Sequence, residues 1–374
     1  MKFSAFRVHS KLALIAFLPL IVICVTGSIL VFKIEIDQFL MPEKYSIQET
    51  PGSRITLDEM SARAQSKFPD FLLASWEVFD DGERPDSMYL IKKKTAEWYR
   101  LQVNPYSGEF LGTPTLLSSD LTDWLLELHY QLLLHGAGIV ITLIVGILLC
   151  ILGVTGIILH RRFWKNLFTL RLNKRLAVAF SDLHKMVGIF ASPVLLVVGM
   201  TGVYFNIEMI VHDIFEHSHD HEAHVFDQPM HSQDLSLDTI VNSGSEHIDG
   251  FETTYFVLPY EPDMSITLYG KVPDVGLFTS NYASGINFNP ETGAFKDKWD
   301  IREMSFLSLL TDSFRRLHFG NFGGLISKIL WSLVGITPLV LSISGIYLWF
   351  TRRQARQKRL RKKQKSQRLA FDTN

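Results

Sequence analysis

Cysteine is almost missing from this 374-residue chain: the two present, Cys24 and Cys150, both lie inside apolar runs. They form no disulfide framework and carry no information about redox compartment. A charge bias is missing too, since 37 Lys and Arg stand against 38 Asp and Glu for a formal net charge of −1. Nothing in that balance points to nucleic acid as a partner. The most informative absences are local. Residues 12–32, 136–159, 186–207 and 329–350 contain no Asp, Glu, Lys or Arg, and each is long enough to cross a hydrocarbon core of about 30 Å. With a hydrophobic share of 47%, the chain reads as a membrane protein with four α-helical spans. No small-x-small cleavage site follows the first run, so it is expected to stay as a span rather than leave as a signal peptide.

Basic residues cluster where a chain stays in the cytoplasm. Lys2, Arg7 and Lys11 precede the first run, "RRFWKNLFTLRLNKR" joins the second to the third, and "TRRQARQKRLRKKQKSQR" follows the fourth. Both termini are therefore expected inside, with the basic tail against anionic lipid. The long segments after the first and third spans are expected in the periplasm of a bacterial inner membrane. The expected division is a first span (1–32), a periplasmic domain (33–121), an outer-face segment with the second span (122–160) and a basic loop (161–183). A third span (184–207), a His-rich linker with a second periplasmic domain (208–310), an outer-face segment with the fourth span (311–350) and a basic tail (351–374) follow.

The chain repeats itself. His9 and Thr26-Gly27 recur as His184 and Thr201-Gly202 at a constant offset of 175 residues. Asp123, His129 and Thr155-Gly156 recur as Asp312, His318 and Ser344-Gly345 at an offset of 189. Outside the spans "NPYSGEF" echoes "NPETGAF", where Asn-Pro and Gly mark tight turns between strands. "TLDEMSARAQSKF" predicts a helix opened by a capping box of Thr56 and Glu59, and "LLASWEVF", "SMYLIK" and "EWYRLQV" predict strands. "SLDTIVNSGSEH" takes the helix position in the second segment, and "TTYFVLP", "SITLYG" and "GINFN" take the strand positions. The expected fold is membrane α-helical, with four transmembrane helices as two parallel repeats, each bearing a small α+β domain.

Repetition turns four single histidines into two pairs, His9 with His184 at the cytoplasmic ends and His129 with His318 at the outer ends. Two imidazoles from facing helices are one way to hold a haem iron, and Gly27, Gly156, Gly202 and Gly345 would let a flat macrocycle approach. Helix packing alone also selects glycine, and a histidine at a helix end is often just an interfacial side chain with a satisfied hydrogen bond. A continuous helix would set His129 about 10 Å above the hydrocarbon edge, which leaves His135 as a substitute ligand for the outer site. His160 competes in the same way at the inner one. A further group, His212, His217, His219, His221, His224 and His231, lies among acidic residues. It reads either as a solvated linker or as a binding segment for zinc, copper or iron.

These words together resemble the PepSY-associated transmembrane family, which includes the PiuB-like iron-regulated membrane proteins and ferric-siderophore reductases of the FoxB type. "LHKMVGIFASPVLLVVGMTGVYF", "LHYQLLLHGAG", "LHFGNFGGLISKILWSLVGITPLVLSISGIYLW" and the turns "NPYSGEFLG" and "NPETGAFKD" carry the likeness. The resemblance implies PepSY-like periplasmic domains and a four-helix domain with two bis-His haems b, passing electrons to a ferric siderophore outside. His9, His184, His129 and His318 carry over as ligands to haem iron, with His135 as the substitute at the outer site. No catalytic acid or base is required. "GAGIVITLIVG" sits inside a span rather than in a strand-turn-helix and is no nucleotide fingerprint, so the electron donor is expected to be a quinol or a separate cytoplasmic reductase. Two other classes stand beside this one: a haem-free PepSY-type binding or inhibitory anchor, and a metal transporter. The transporter is disfavoured because the spans carry no acids.

Overall fold

The structure, a computed structural model, describes residues 2–47, 52–95, 97–160, 169–171, 173–218 and 227–371. In its first half the chain forms helices α1 (Lys2–Leu30), α2 (Lys33–Leu40), α3 (Pro42–Tyr45) and α4 (Leu57–Lys67), then strands β1 (Phe71–Glu77), β2 (Asp86–Lys92), β3 (Trp98–Val103) and β4 (Thr115–Leu116). Helices α5 (Leu121–Gln131), α6 (His135–Leu159) and α7 (Leu176–Ser218) lead into α8 (Leu237–Asn242) and α9 (Gly244–His247). Strands β5 (Glu252–Val257), β6 (Ile266–Lys271), β7 (Ser284–Phe288) and β8 (Phe295–Trp299) precede α10 (Phe306–Phe319), α11 (Gly324–Gly335) and α12 (Thr337–Phe371). Two compact units result: Met1–Val31 with Leu126–His212 and Gly324–Asn374, and Phe32–Leu125 with Asp213–Gly323.

The first unit is helical. Among the described residues, four segments are long and apolar enough to cross a membrane: Ala5–Leu30, His135–Leu159, Leu176–His212 and Gly324–Gln364. All four begin earlier than the uncharged runs do, three of them because a helix does not stop at its first lysine; Lys11, Lys185 and Lys328 ride within α1, α7 and α11, where long stems carry the charge toward water. The fourth is two helices with a break at Ile336, since Pro338 supplies no N–H to continue the ladder. Ala16, Leu20 and Val145 are buried where α1 meets α6. Ile15, Leu18 and Ile326 are more than half exposed, an arrangement suited to lipid rather than water.

The second unit is one antiparallel sheet of order β4-β3-β2-β1-β5-β6-β7-β8. The strands expected as two separate domains therefore share one sheet, joined where Trp76 of β1 faces Phe256 of β5. Register runs straight across it: Leu101, Met88, Trp76, Phe256, Leu268 and Ile286 stand opposite one another in turn. Opposed residues share a face, and these six are at most 1% exposed beneath Leu57, Met60 and Ala64 of α4 and Leu237 and Ile240 of α8. Burying each such side chain is worth roughly 1.5–3 kcal/mol.

Thr56 accepts from the Glu59 N–H at 3.2 Å as expected of an N-cap. The Glu59 carboxylate turns instead to Arg63. The reciprocal partner is another helix: Asp238 accepts from the Leu57 and Asp58 N–H groups at 3.0 and 2.9 Å, while Asp58 accepts from the Leu237 N–H at 2.6 Å. Two helix N-termini thus exchange carboxylates, satisfying orphan donors and complementing both dipoles. Both Asn-Pro turns close alike. Asn104 Oδ1 accepts from Tyr106 and Ser107, Asn289 Oδ1 from Glu291 and Thr292, and Gly108 and Gly293 take φ of 72° and 68°.

A buried ionic network holds the start of α5. Arg100 of β3 donates to Asp120 at 2.8 Å, to Asp123 at 2.7 Å and to the Tyr45 hydroxyl at 2.6 Å. Lys44 donates to Asp120, and Lys33 donates to Asp37, Thr122 and Asp123. Burial opposes the charge on Arg100, but the Asp123 carboxylate outweighs it and holds the guanidinium above its ordinary range. For Asp120 burial is likewise outweighed, by donors from Lys44 and Tyr45, and its carboxyl sits below the usual carboxylate range. Its stabilisation is thus complete above the unfolded value of about 3.9 and is lost as pH falls toward the lower folded value. Arg100→Ala removes the guanidinium that bridges two buried carboxylates, each of which keeps a lysine, and is expected to cost about 1.5–3 kcal/mol, read as a lowered melting temperature of the purified protein in detergent. Arg63→Ala, in an exposed pair with Glu59, is expected to change stability by less than about 1 kcal/mol. Equal effects for the two variants would contradict the network's role.

Candidate functional site

His9 lies on α1 and His184 on α7, one turn or more inside each helix. Their ring centroids are 6.3 Å apart with planes at 85°. Each ring rests on a hydroxyl of a different helix: His9 Nδ1 is 2.9 Å from Thr155 Oγ1 on α6, and His184 Nδ1 is 2.9 Å from Ser344 Oγ on α12. Both hydroxyls sit one residue before a glycine. A methyl group added at Gly156 would lie 3.7 Å from His9 Cε1, and one added at Gly345 would lie 3.5 Å from His184 Cε1.

His129 repeats the arrangement from the other end of the unit. Its Nδ1 is 2.9 Å from the Ile23 carbonyl and 3.2 Å from Thr26 Oγ1, again beside a glycine. It reaches that depth because the helix is not continuous after it. Leu132, Leu133 and His135 take φ of 52°, 58° and 52°, so the chain turns between α5 and α6 instead of climbing straight. The two helices then meet backbone to backbone: a methyl group at Gly138 would sit 1.6 Å from the Gln131 carbonyl oxygen, and Thr142 donates to the Tyr130 carbonyl at 2.7 Å.

The remaining histidines lie elsewhere along the chain. His135 is the first residue of α6 and is exposed. His160 caps the far end of α6 and donates its backbone N–H to Gly156 and Ile157. His318 is half-buried near the end of α10 in the second unit, where Asp312, six residues earlier, accepts from the Ser280 N–H and hydroxyl. His217 is on α7 and His231 is in the second unit, whereas His219, His221 and His224 lie outside the described residues. Among the described residues, no group of three or more His, Cys, Asp or Glu side chains is gathered to hold a metal ion.

The inner pair has the spacing of two imidazoles that share one iron. Two imidazoles that share one metal through bonds of about 2 Å would have ring centroids up to about 6.2 Å apart. The observed 6.3 Å matches. Nδ1 of each ring is turned to a hydroxyl, and among the described residues Nε2 of neither makes a hydrogen bond. The donor set therefore fits a bis-imidazole iron.

The family described as PepSY-associated TM region matches residues 6–352. The chain belongs to the PepSY-associated TM family. A second likeness is local: this PepSY-associated TM protein is 39% identical over 80 residues to Uncharacterized protein PA4219 of Pseudomonas aeruginosa. That match spans 21% of this chain and 20% of the relative.

Sequence reading identified the three histidines that the helical unit seats, but not what they rest on. Thr26, Thr155 and Ser344 were visible only as markers of the repeat; the constant spacing from each histidine was the signal that they have a task. One consequence is testable without any cofactor. A methyl group at Gly27 would lie 2.6 Å from His129 Cε1, so Gly27→Ala is expected to push the ring aside at an overpacking cost of about 1–3 kcal/mol. Gly156→Ala and Gly345→Ala meet ordinary contacts and are expected to melt close to wild type. Three equal melting curves would show that His129 is seated elsewhere.

Proposed function

We propose that this protein is a di-haem electron-transfer protein of the bacterial inner membrane, which reduces a ferric siderophore in the periplasm and so releases its iron. The inner haem is held by His9 and His184, the outer by His129 and His318. Electrons come from a quinol or a cytoplasmic reductase, and the sheet unit faces the periplasm with both chain termini inside. The observation that carries this reading is the inner histidine pair: two rings with centroids 6.3 Å apart, each with its Nδ1 already engaged. Membership of the PepSY-associated TM family supports it. The architecture is read as two parallel repeats. Support comes from the matching Asn-Pro turns and from the exchange of Asp58 and Asp238 between helices of opposite halves.

Bound haem would supply one-electron redox chemistry. The chain's own part is to present imidazole nitrogens in fixed directions from rigid helices, within apolar spans that keep water off the iron. Reduction of the ferric chelate adds one electron per iron and requires no side chain to move a proton. Ferrous iron is the weaker partner of hard oxygen donors, so release follows from the change of oxidation state.

A pyridine haemochrome count on purified protein tests the reading. Two haems per chain are expected in the wild type and one in each of His9→Ala, His184→Ala, His129→Ala and His318→Ala, with the first two losing the same haem by spectrum. His135→Ala is expected to keep both. A colourless wild-type protein would sink the proposal, as would full retention in all four variants; a colourless sample is what the anchor and transporter alternatives expect.

A further inference from the structure

Three rings in the helical unit share one contact, and its chemistry runs in a fixed direction. Thr155 Oγ1 lies 2.7 Å from the Ile151 carbonyl, Ser344 Oγ 2.8 Å from the Val340 carbonyl and Thr26 Oγ1 2.8 Å from the Val22 carbonyl. A hydroxyl has one proton, and in each case it is spent on that carbonyl one turn back. The oxygen therefore meets the imidazole as an acceptor, and the imidazole must donate. At His129 the Ile23 carbonyl makes the same demand independently, because a carbonyl can only accept. Back-bonding of Ser and Thr is ordinary in helices; what is not ordinary is that these three hydroxyls, each one residue before a glycine, meet the ring of a histidine from another helix.

We infer that Thr155 and Ser344 are positioning residues that fix the Nδ1–H tautomer of His9 and His184, leave Nε2 as the basic nitrogen, and raise the electron-donating strength of both rings. The inference rests on the proposed haem reading for its redox consequence, though the tautomer itself does not need a cofactor. A ligating imidazole whose other nitrogen donates a hydrogen bond is a stronger donor, so it favours the oxidised iron. Thr26 acts on His129 in the same sense but shares the task with the Ile23 carbonyl, and its removal matters less.

Two measurements test this on the full-length protein in detergent. Nitrogen-15 NMR of histidine-labelled, haem-stripped protein is expected to show His9 and His184 as Nδ1–H tautomers in the wild type. That fixed state is expected to be lost at His9 in Thr155→Val and at His184 in Ser344→Ala. Spectroelectrochemical titration of the haem-loaded protein is expected to show one haem easier to reduce in each variant, by about tenfold in the equilibrium constant, which is 59 mV for a one-electron couple. The second haem should stay unchanged. Thr155→Ser, which keeps the acceptor, is expected to behave as wild type, and Thr26→Val to shift the other haem by clearly less than tenfold. Should Thr155→Val fail to retain the inner haem while Thr155→Ser retains it, the positioning role is supported through affinity.

Unchanged potentials in Thr155→Val and Ser344→Ala would overturn the inference, as would an equal shift or haem loss in Thr155→Ser, which would assign the effect to packing. A wild-type protein with no haem overturns the proposed function alone; the NMR measurement then still decides the tautomer, and a wild-type His9 with Nε2–H overturns it.

Discussion

Everything in the helical unit turns on how an imidazole is held inside an apolar bundle. A buried polar group without a partner costs about 1–3 kcal/mol, and the interior of four spans offers few partners because the backbone is used up in the helices. A threonine or serine hydroxyl solves this cheaply: it bonds back to its own helix and still presents lone pairs to a neighbour. The adjacent glycine solves the second half of the problem, which is room. At Gly27 even one carbon would meet the His129 ring at 2.6 Å. Hydroxyl and glycine together form a two-residue seat, and α1, α6 and α12 each supply one.

Seating the outer histidine demands more of the fold than seating the inner two. His129 stands in the last turn of α5, so its depth is set by how α5 ends and where it begins. The end is a break with three left-handed residues, each strained by about 1–3 kcal/mol for side chains larger than glycine. Gly138 and Thr142 of α6 offset this by taking the end of α5 at contact distance and by satisfying the Tyr130 carbonyl. The beginning is Thr122 and Asp123, tied to Lys33 and Arg100. Within the helical unit, the backbone contact at the end of α5 leaves His129 little freedom to move. Asp312 plays the corresponding part for α10, through Ser280 instead of an arginine.

Patterns with a short physical range were legible in the sequence. Uncharged runs located all four spans, short stretches rich in aromatic and branched residues located β1, β2, β3, β5, β6 and β7, and Asn-Pro with Gly located both turns. What escaped reading depends on partners far along the chain. Strand β8, "FKDKW", shows four exposed residues of five and carries no apolar face to announce itself; it is recruited by pairing with β7 and by Trp299, whose indole lies over Gly285. The single sheet could not be read because pairing of β1 with β5 needs residues about 180 positions apart to meet. Asp58 and Asp238 read as ordinary first-turn acids, and only the fold reveals that each serves the other's helix. The break after Gln131 was hidden for the opposite reason: "QLLLHGAG" is as apolar as a helix that continues.

A purely structural role for the inner histidines has to account for their orientation. Two rings used only as packing would gain most by engaging both nitrogens, or by presenting carbon to the apolar interior and leaving the polar edge at the helix ends. Instead both spend Nδ1 on a hydroxyl, and two Nε2 atoms without a hydrogen bond belong to rings 6.3 Å apart. Two rings from helices separated by 175 residues in sequence, each turned to a hydroxyl through Nδ1 with Nε2 left available, form an arrangement that packing does not require and that a shared metal would use. The same reasoning says why the ligands must be rigid: a ring free to rotate would find water or a carbonyl for its second nitrogen, and the pair would cease to be a site.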